Sequence, residues 1–376
     1  MTARIDIDEL LADPGTHTIV CCGSGGVGKT TTAAALALRA AEAGRSVCVL
    51  TIDPARRLAQ AMGLDRLDNT PASVGGTSGG RLDAMMLDMK RTFDEIVEAH
   101  ADPVRAKQIL DNPFYQALST SFAGTQEYMA MEKLNQLRHE AIAEGTWDLI
   151  VVDTPPSRSA LDFLDAPQRL GTFLDSRFLR VLLAPARGSG RGALRALSAG
   201  LGAVTGVLHR ILGAQLLADV RTFVSALDAM FGGFRERAEE TYSALQAPGT
   251  AFLVVAAPEP DALREASYFV DRLATEQMPL LGLVLNRVTV SDAVGLSAER
   301  AGGAAAGLRE QESDPTLAGL LEVHAERMRR IEREKTLIQG FAAVHPTVRH
   351  AVSPALAGDV HDLDGLRQVG EALART

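Results

Sequence analysis

The chain has 376 residues, enough to bury a substantial core as one large domain or as one domain carrying a subdomain. A formal net charge of -9 disfavours nucleic acid as the main partner, and 46% hydrophobic with 23% charged residues is an ordinary globular balance. The three cysteines, Cys21, Cys22 and Cys48, form no CxxC pair, which argues against a zinc or iron–sulfur site built on thiolates.

In chain order, "MTARIDIDELLADPG" is acidic and lacks the long apolar run of a signal peptide. "HTIVCC" is a short apolar run of the buried-strand kind, followed by the glycine-rich "GSGGVGKT" and the alanine-rich helix pattern "TTTAAALALRAAEAG", with Gly44 as its C-cap. The cysteines fall in such runs and read as small core residues in a reducing cytoplasm. Further strands are predicted at "SVCVLTID", "DLIVVD", "TAFLVVAA" and "PLLGLVLN", with a helical pattern between the last two. All of these runs are apolar on both faces, as central parallel strands are. "ASVGGTSGG" reads as a flexible loop.

Helical patterns dominate from about 92 to 145 and again from 165 to 245. The expectation is therefore an α/β protein: a doubly wound, mostly parallel central sheet in a single domain over 1–376, with a helical subdomain inserted through 92–145 and 165–245. The leucine-rich stretch around "GAVTGVLHRILGAQLLA" is interrupted by His209-Arg210 and fits a membrane span poorly, leaving at most peripheral membrane contact. From Asp165 to Gly213 the chain carries Arg169, Arg177, Arg180, Arg187, Arg191, Arg195 and Arg210. That segment is either a client surface or a solvated helical face.

Gly23, Ser24, Gly25, Gly26, Val27, Gly28, Lys29 and Thr30 satisfy G-x-x-x-x-G-K-[ST] between a predicted strand and helix. Glycines allow backbone N–H groups to converge on phosphate oxygens, and the following helix N-terminus favours negative charge. Lys29 is placed on the β- and γ-phosphates, and the Thr30 hydroxyl on Mg²⁺. Asp53, at the end of its strand, either begins a turn or orients a water towards the γ-phosphate. Asp153, closing "DLIVVD", has the position of a carboxylate holding a Mg²⁺-bound water. The amide of Asn286 either caps local backbone or pairs with an adenine edge. No Asn-Lys-x-Asp stretch is present to favour guanine, so ATP is the expected nucleotide.

Taken together, "GSGGVGKTTTAAALAL", "TIDPARRLAQAMG" and "DTPPSRSALDFLDAP" resemble the arsenical-pump and tail-anchored-protein-targeting ATPase family. "GTQEYMAMEKL" resembles that family's switch-linked helix, "LNR" its adenine-reading turn, and "SPALAGDVHDLDGL" its loop over the base. The resemblance implies that Lys29, Thr30 and Thr31 contact phosphates and Mg²⁺. It further implies that Asp53 positions the water, that Asp153 supports the metal, and that Asn286 and Pro354 meet the base. It also implies a cytoplasmic, Mg²⁺-dependent ATPase whose dimer closes on ATP to form a hydrophobic surface for a protein client.

Three departures from the family pattern matter. No thiol metalloid site or zinc clasp can be built from these cysteines. The usual "DTAPTGHT" reads "DTPPSRSA", with Arg158 and Ser159 replacing a glycine and a histidine. Ser24 stands where the family's second lysine reaches across the dimer. That leaves a slow homodimer, an arginine substitute (Arg56, Arg57 or Arg158), or a heterodimer with a lysine-bearing paralogue, the last being preferred.

Overall fold

The computed structural model describes residues 4–53, 55, 57–112, 115–116, 125–155, 236–293 and 295–375. Arg56, the stretch 156–160 with Arg158 and Ser159, and the arginine-rich segment 165–213 lie outside the described residues. The chain divides into two compact units. The first holds Met1–Met86, Leu137–Leu161 and Ala244–Thr376, and the second holds Leu87–Gln136 and Asp162–Ser243.

In the first unit, eight strands form one sheet. They are β1 (Thr18–Gly23), β2 (Ser46–Thr51), β3 (Ala72–Ser73), β4 (Arg81–Met86), β5 (Leu149–Asp153), β6 (Thr250–Ala256), β7 (Leu280–Val288) and β8 (His350–Pro354). Their order is β3-β4-β2-β5-β1-β6-β7-β8, with every pairing parallel except β3 with β4. The central strands β1, β5 and β6 are buried along their whole length, which explains their uninterrupted apolar sequences. β1 sits between β5 and β6, and the chain leaves it first towards β2 on one side and later towards β6 and β7 on the other. Open α/β sheets bind ligands at such a point, beyond the carboxyl ends of the strands.

Three strands, β3, β4 and β8, lie beyond those expected from the apolar runs. β4 carries Asp83 in its middle, and this fully buried carboxylate accepts from Trp147 Nε1 at 2.8 Å and pairs with Arg81 at 2.7 Å. β8 is short and ends in Pro354, which an edge position tolerates because no neighbour needs its missing N–H. The stretch expected to be a wholly flexible loop contributes Ala72 and Ser73 to β3 before turning into β4.

The helices follow in chain order. α1 (Ile7–Ala12) begins at Asp6, whose side chain accepts from the Glu9 N–H, and α2 (Lys29–Glu42) follows the glycine loop. Ten of the fourteen α2 residues are buried, most of them alanines, so this helix approaches the sheet closely on one side and another helix on the other. α3 (Arg57–Ala61) follows β2, while α4 (Met89–His100), α5 (Pro103–Leu110) and α6 (Thr125–Glu144) occupy the stretch expected to be helical. α7 (Pro260–Thr275) connects β6 to β7, and α8 (Ala298–Glu310) and α9 (Pro315–Val344) form a hairpin before β8. α10 (Leu363–Ala374) buries Leu366, Val369 and Leu373 and packs on α2, with Gly370 facing the Ala35 carbonyl.

In the second unit, Phe93, Ile96 and Val97 of α4 are buried, and Phe93 meets the ring of Tyr115 edge-on at 5.4 Å. Its buried charges are paired: Lys133 with Glu95 at 2.9 Å, and Arg237 with Glu132 at 2.8 Å.

Candidate functional site

The loop from Gly23 to Gly28 leaves the carboxyl end of β1 and runs directly into α2. Its first and last glycines are fixed by sterics. A Cβ on Gly23 would lie 2.1 Å from the Val255 carbonyl oxygen, and one on Gly28 would lie 2.2 Å from Asn286 Nδ2. Gly28 also has φ 92°, a left-handed conformation that strains other residues.

Lys29 is 5% exposed, and its Nζ arcs back to donate to the Ser24 carbonyl at 2.8 Å. Burial pulls its pKa below the ordinary lysine value, and the Asp153 carboxylate opposes that shift. Thr30 Oγ1 donates to Asp153 Oδ2 at 2.8 Å, and Thr51 Oγ1 donates to the same oxygen at 2.8 Å. Asp153 is fully buried, and its other oxygen, Oδ1, has no hydrogen-bond partner among the described residues. Burial pushes the Asp153 carboxyl up to about 6, against the downward pull of the two threonine hydroxyls and of Lys29.

Asp53 is half-buried two residues beyond β2, close enough for its charge to add to the rise at Asp153. Its N–H donates to Thr51 Oγ1 at 3.3 Å, and its Oδ1 accepts the Ala55 N–H at 3.0 Å. The turn contact weighed from the sequence is thus present, on a carboxylate that also stands beside Asp153. Val27 is buried and Thr31 partly so. Asn286 Oδ1 accepts the Arg287 N–H at 3.0 Å, the local-backbone contact weighed from the sequence, while its Nδ2 donates at 2.8 Å to the carbonyl of Val27, a residue distant in sequence. An amide carries two donors and two lone pairs, so these bonds leave capacity for a base edge. Pro354 lies opposite Val288 in the β7–β8 pairing, at the same end of the sheet.

One residue at this end was missed by sequence reasoning. Arg287 Nη1 donates to the Gly26 carbonyl at 3.0 Å from a backbone at φ 59°. Nothing in "LNR" signals a left-handed arginine; only the fold brings it to the loop. The cysteines are buried thiols outside any disulfide, and burial pushes the Cys22 thiol up to about 12, so these are packing residues rather than ligands.

Among the described residues no group of three or more His, Cys, Asp or Glu side chains could hold a metal. A site made of one hydroxyl and one buried carboxylate with an unpartnered oxygen instead suits Mg²⁺, which keeps its waters and takes its remaining ligands from phosphates.

A parallel sheet with this glycine loop at its switch point, a lysine folded over the loop and an aspartate on the next strand defines a P-loop nucleoside-triphosphatase fold. A family model described as "Anion-transporting ATPase" matches residues 16–296, and the chain belongs to that family. It is 30% identical over 164 residues to the ATPase GET3 of Malassezia globosa, covering 44% of this chain and 46% of that protein. It is also 30% identical over 186 residues to a putative arsenical pump-driving ATPase of Halobacterium salinarum, covering 48% of this chain and 28% of that protein. ATPase ARSA2 of Chlamydomonas reinhardtii is 26% identical over 288 residues, 73% of this chain and 68% of that protein. The chain thus spans less than half of the first two relatives' lengths.

Proposed function

We propose that the chain is a cytoplasmic, Mg²⁺-dependent ATPase of the targeting-factor kind, in which ATP closes a dimer and thereby forms a hydrophobic surface for a protein client. The observation that carries the enzymatic part is Asp153. Its Oδ2 is held by the Thr30 and Thr51 hydroxyls, while Oδ1 is buried and unpartnered among the described residues. An uncompensated buried carboxylate is expensive and is retained where a ligand completes it. Thr30 and Asp153 are the residues that would hold Mg²⁺, which when bound neutralises charge on the β- and γ-phosphate oxygens.

The chain's own residues divide the remaining work. The loop N–H groups bind phosphate, Lys29 supplies a positive charge, and Asp53 orients the attacking water. Asn286 and Pro354 flank the base. The names of the relatives support the ATPase reading: one is an ATPase GET3 and another a putative arsenical pump-driving ATPase. Between these, the targeting kind is favoured because the described cysteines are buried packing residues. Among the described residues no helix is long and apolar enough to cross a membrane. For the dimer, a partner carrying the lysine absent at Ser24 is favoured over a second identical chain.

The test is steady-state ATP turnover with and without Mg²⁺, in the parent chain and in Asp53→Asn. The amide keeps the Ala55 contact but loses the charge that polarises a water, so ATP affinity should stay within about threefold while turnover falls about 10²-fold or more. Unchanged turnover would reduce Asp53 to a turn residue, and binding without any turnover in the parent would identify a nucleotide-gated scaffold.

Asp153→Asn should move stability and function in opposite directions. At neutral pH the ionised carboxylate is disfavoured in the fold, since its pKa is raised to about 6. Replacing it should stabilise the ligand-free protein by about 1–3 kcal/mol. The same change should abolish the extra thermal stabilisation that Mg²⁺ adds to ATP. A variant that melts lower and still responds to Mg²⁺ would contradict the assignment.

A further inference from the structure

Resting on the phosphate-loop reading above, we infer that Arg287 is a positioning residue which, with Asn286, grips the phosphate loop from outside and holds it in its anion-receiving shape. A loop whose N–H groups converge inward must turn carbonyls outward. Two consecutive outward carbonyls are captured by two consecutive side chains: Gly26 O by Arg287 Nη1 at 3.0 Å, and Val27 O by Asn286 Nδ2 at 2.8 Å. Gly28 is part of the same device, because any Cβ there would collide with the Asn286 amide at 2.2 Å.

The grip requires an unusual backbone. β7 shifts register against β8 between Leu285 and Val288, and Arg287 sits in that irregularity at φ 59°. A non-glycine residue is held there only where its surroundings dictate it. On one side the Asn286 side chain accepts the Arg287 N–H at 3.0 Å. On the other, the buried carboxylate of Glu334 in α9 accepts both the N–H and the Oγ1 of Thr289 at 2.7 Å, while Arg330 Nε holds Glu334 at 2.7 Å. Arg327 Nε of α9 also donates to the Val290 carbonyl at 2.7 Å. The turn is therefore pinned to a 30-residue helix, and its side chains reach the loop from a fixed base. A strained arginine anchored on both flanks and directed at a phosphate loop is better explained by shaping that loop than by the stability of the turn, which glycine would serve with less strain.

The test compares the full-length parent with Arg287→Gly and Arg287→Met. ATP affinity with Mg²⁺ is measured by titration calorimetry at low and high salt, and thermal melting without nucleotide. Glycine relieves the left-handed strain and methionine keeps it, but both lose the donor. Both variants should bind ATP about tenfold more weakly, the loss of roughly one hydrogen bond to the loop. Arg287→Gly should melt at or above the parental temperature, so affinity and stability part company. The affinity ratio should persist at high salt, since a short hydrogen bond is not screened as a distant charge is. Parental affinity in both variants overturns the inference, as does a glycine variant that loses stability together with affinity, or a deficit that vanishes in high salt. Failure of the parent itself to bind ATP would overturn the functional reading and this inference with it, and so is distinguishable from failure of the grip alone.

Discussion

Lys29→Ala is expected to weaken ATP binding by about 10²–10³-fold while leaving the fold intact. Lys29 is 5% exposed, and among the described residues its ammonium donates to the Ser24 carbonyl at 2.8 Å, which holds it over the loop. Charge-assisted hydrogen bonds contribute about 1.5–3 kcal/mol each, and a lysine bridging two phosphates would lose more than one of them. The core beneath does not depend on this side chain, because Ala33, Ala34, Leu36 and Ala37 of α2 carry the packing. A melting temperature close to the parent's, measured beside the ATP titration, separates lost binding from lost structure. Equal affinity in variant and parent would remove the phosphate-loop reading altogether. A secondary effect has a fixed sign: Lys29 helps hold the Asp153 pKa down, so its removal should raise that pKa further.

The sheet was legible in the sequence wherever burial was uniform. β1, β2, β5, β6 and β7 stand between covering layers, so their apolar runs have no interruptions to confuse them with loops. β4 and β8 escaped for opposite reasons. The Asp83 charge in β4 is compensated by Arg81 and by Trp147, which is distant in sequence, and β8 is a short strand at the edge. The glycine loop, Lys29, Thr30 and Asp153 were legible as a motif because the roles proposed for them demand one residue type at one spacing, and the fold places Thr30 and Asp153 in direct contact. Asn286 was half legible. An amide at the end of a strand fits either backbone or base, and its bond to the Val27 carbonyl follows from the positions of β1 and β7 on either side of β6. Arg287 was not legible, since a left-handed backbone at an arginine is imposed by α9 and β8 from outside the motif.

The purified chain alone is expected to hydrolyse ATP slowly, and mixing it with a lysine-bearing relative should raise turnover by about 10³-fold or more. Ser24 is largely buried, and its carbonyl already holds Lys29, so this position contributes a hydrogen-bond acceptor to its own loop and no charge to a neighbour's. The other cation at the loop, Arg287, is engaged with the Gly26 carbonyl on the outer side. Under the borrowed-lysine proposal, a second subunit supplies a further cation to a transition state that accumulates negative charge on the transferred phosphoryl group. Ser24→Lys alone should recover less than the natural pairing. Its long side chain must leave a buried position, and a misplacement of about 1 Å at the opposite phosphates forfeits about 10²-fold. Single-turnover measurements on the chain, the variant and the mixture rank the three, and the expected order is mixture, then variant, then chain. Fast turnover by the unmodified chain would be decisive against a borrowed lysine. It would point instead to a cation of its own, for which Arg57, exposed at the start of α3 and following the Asp53 turn, is the candidate among the described residues. Arg57→Ala should then abolish that activity, whereas under the borrowed-lysine arrangement it should leave the mixture's rate within about threefold of the parent's.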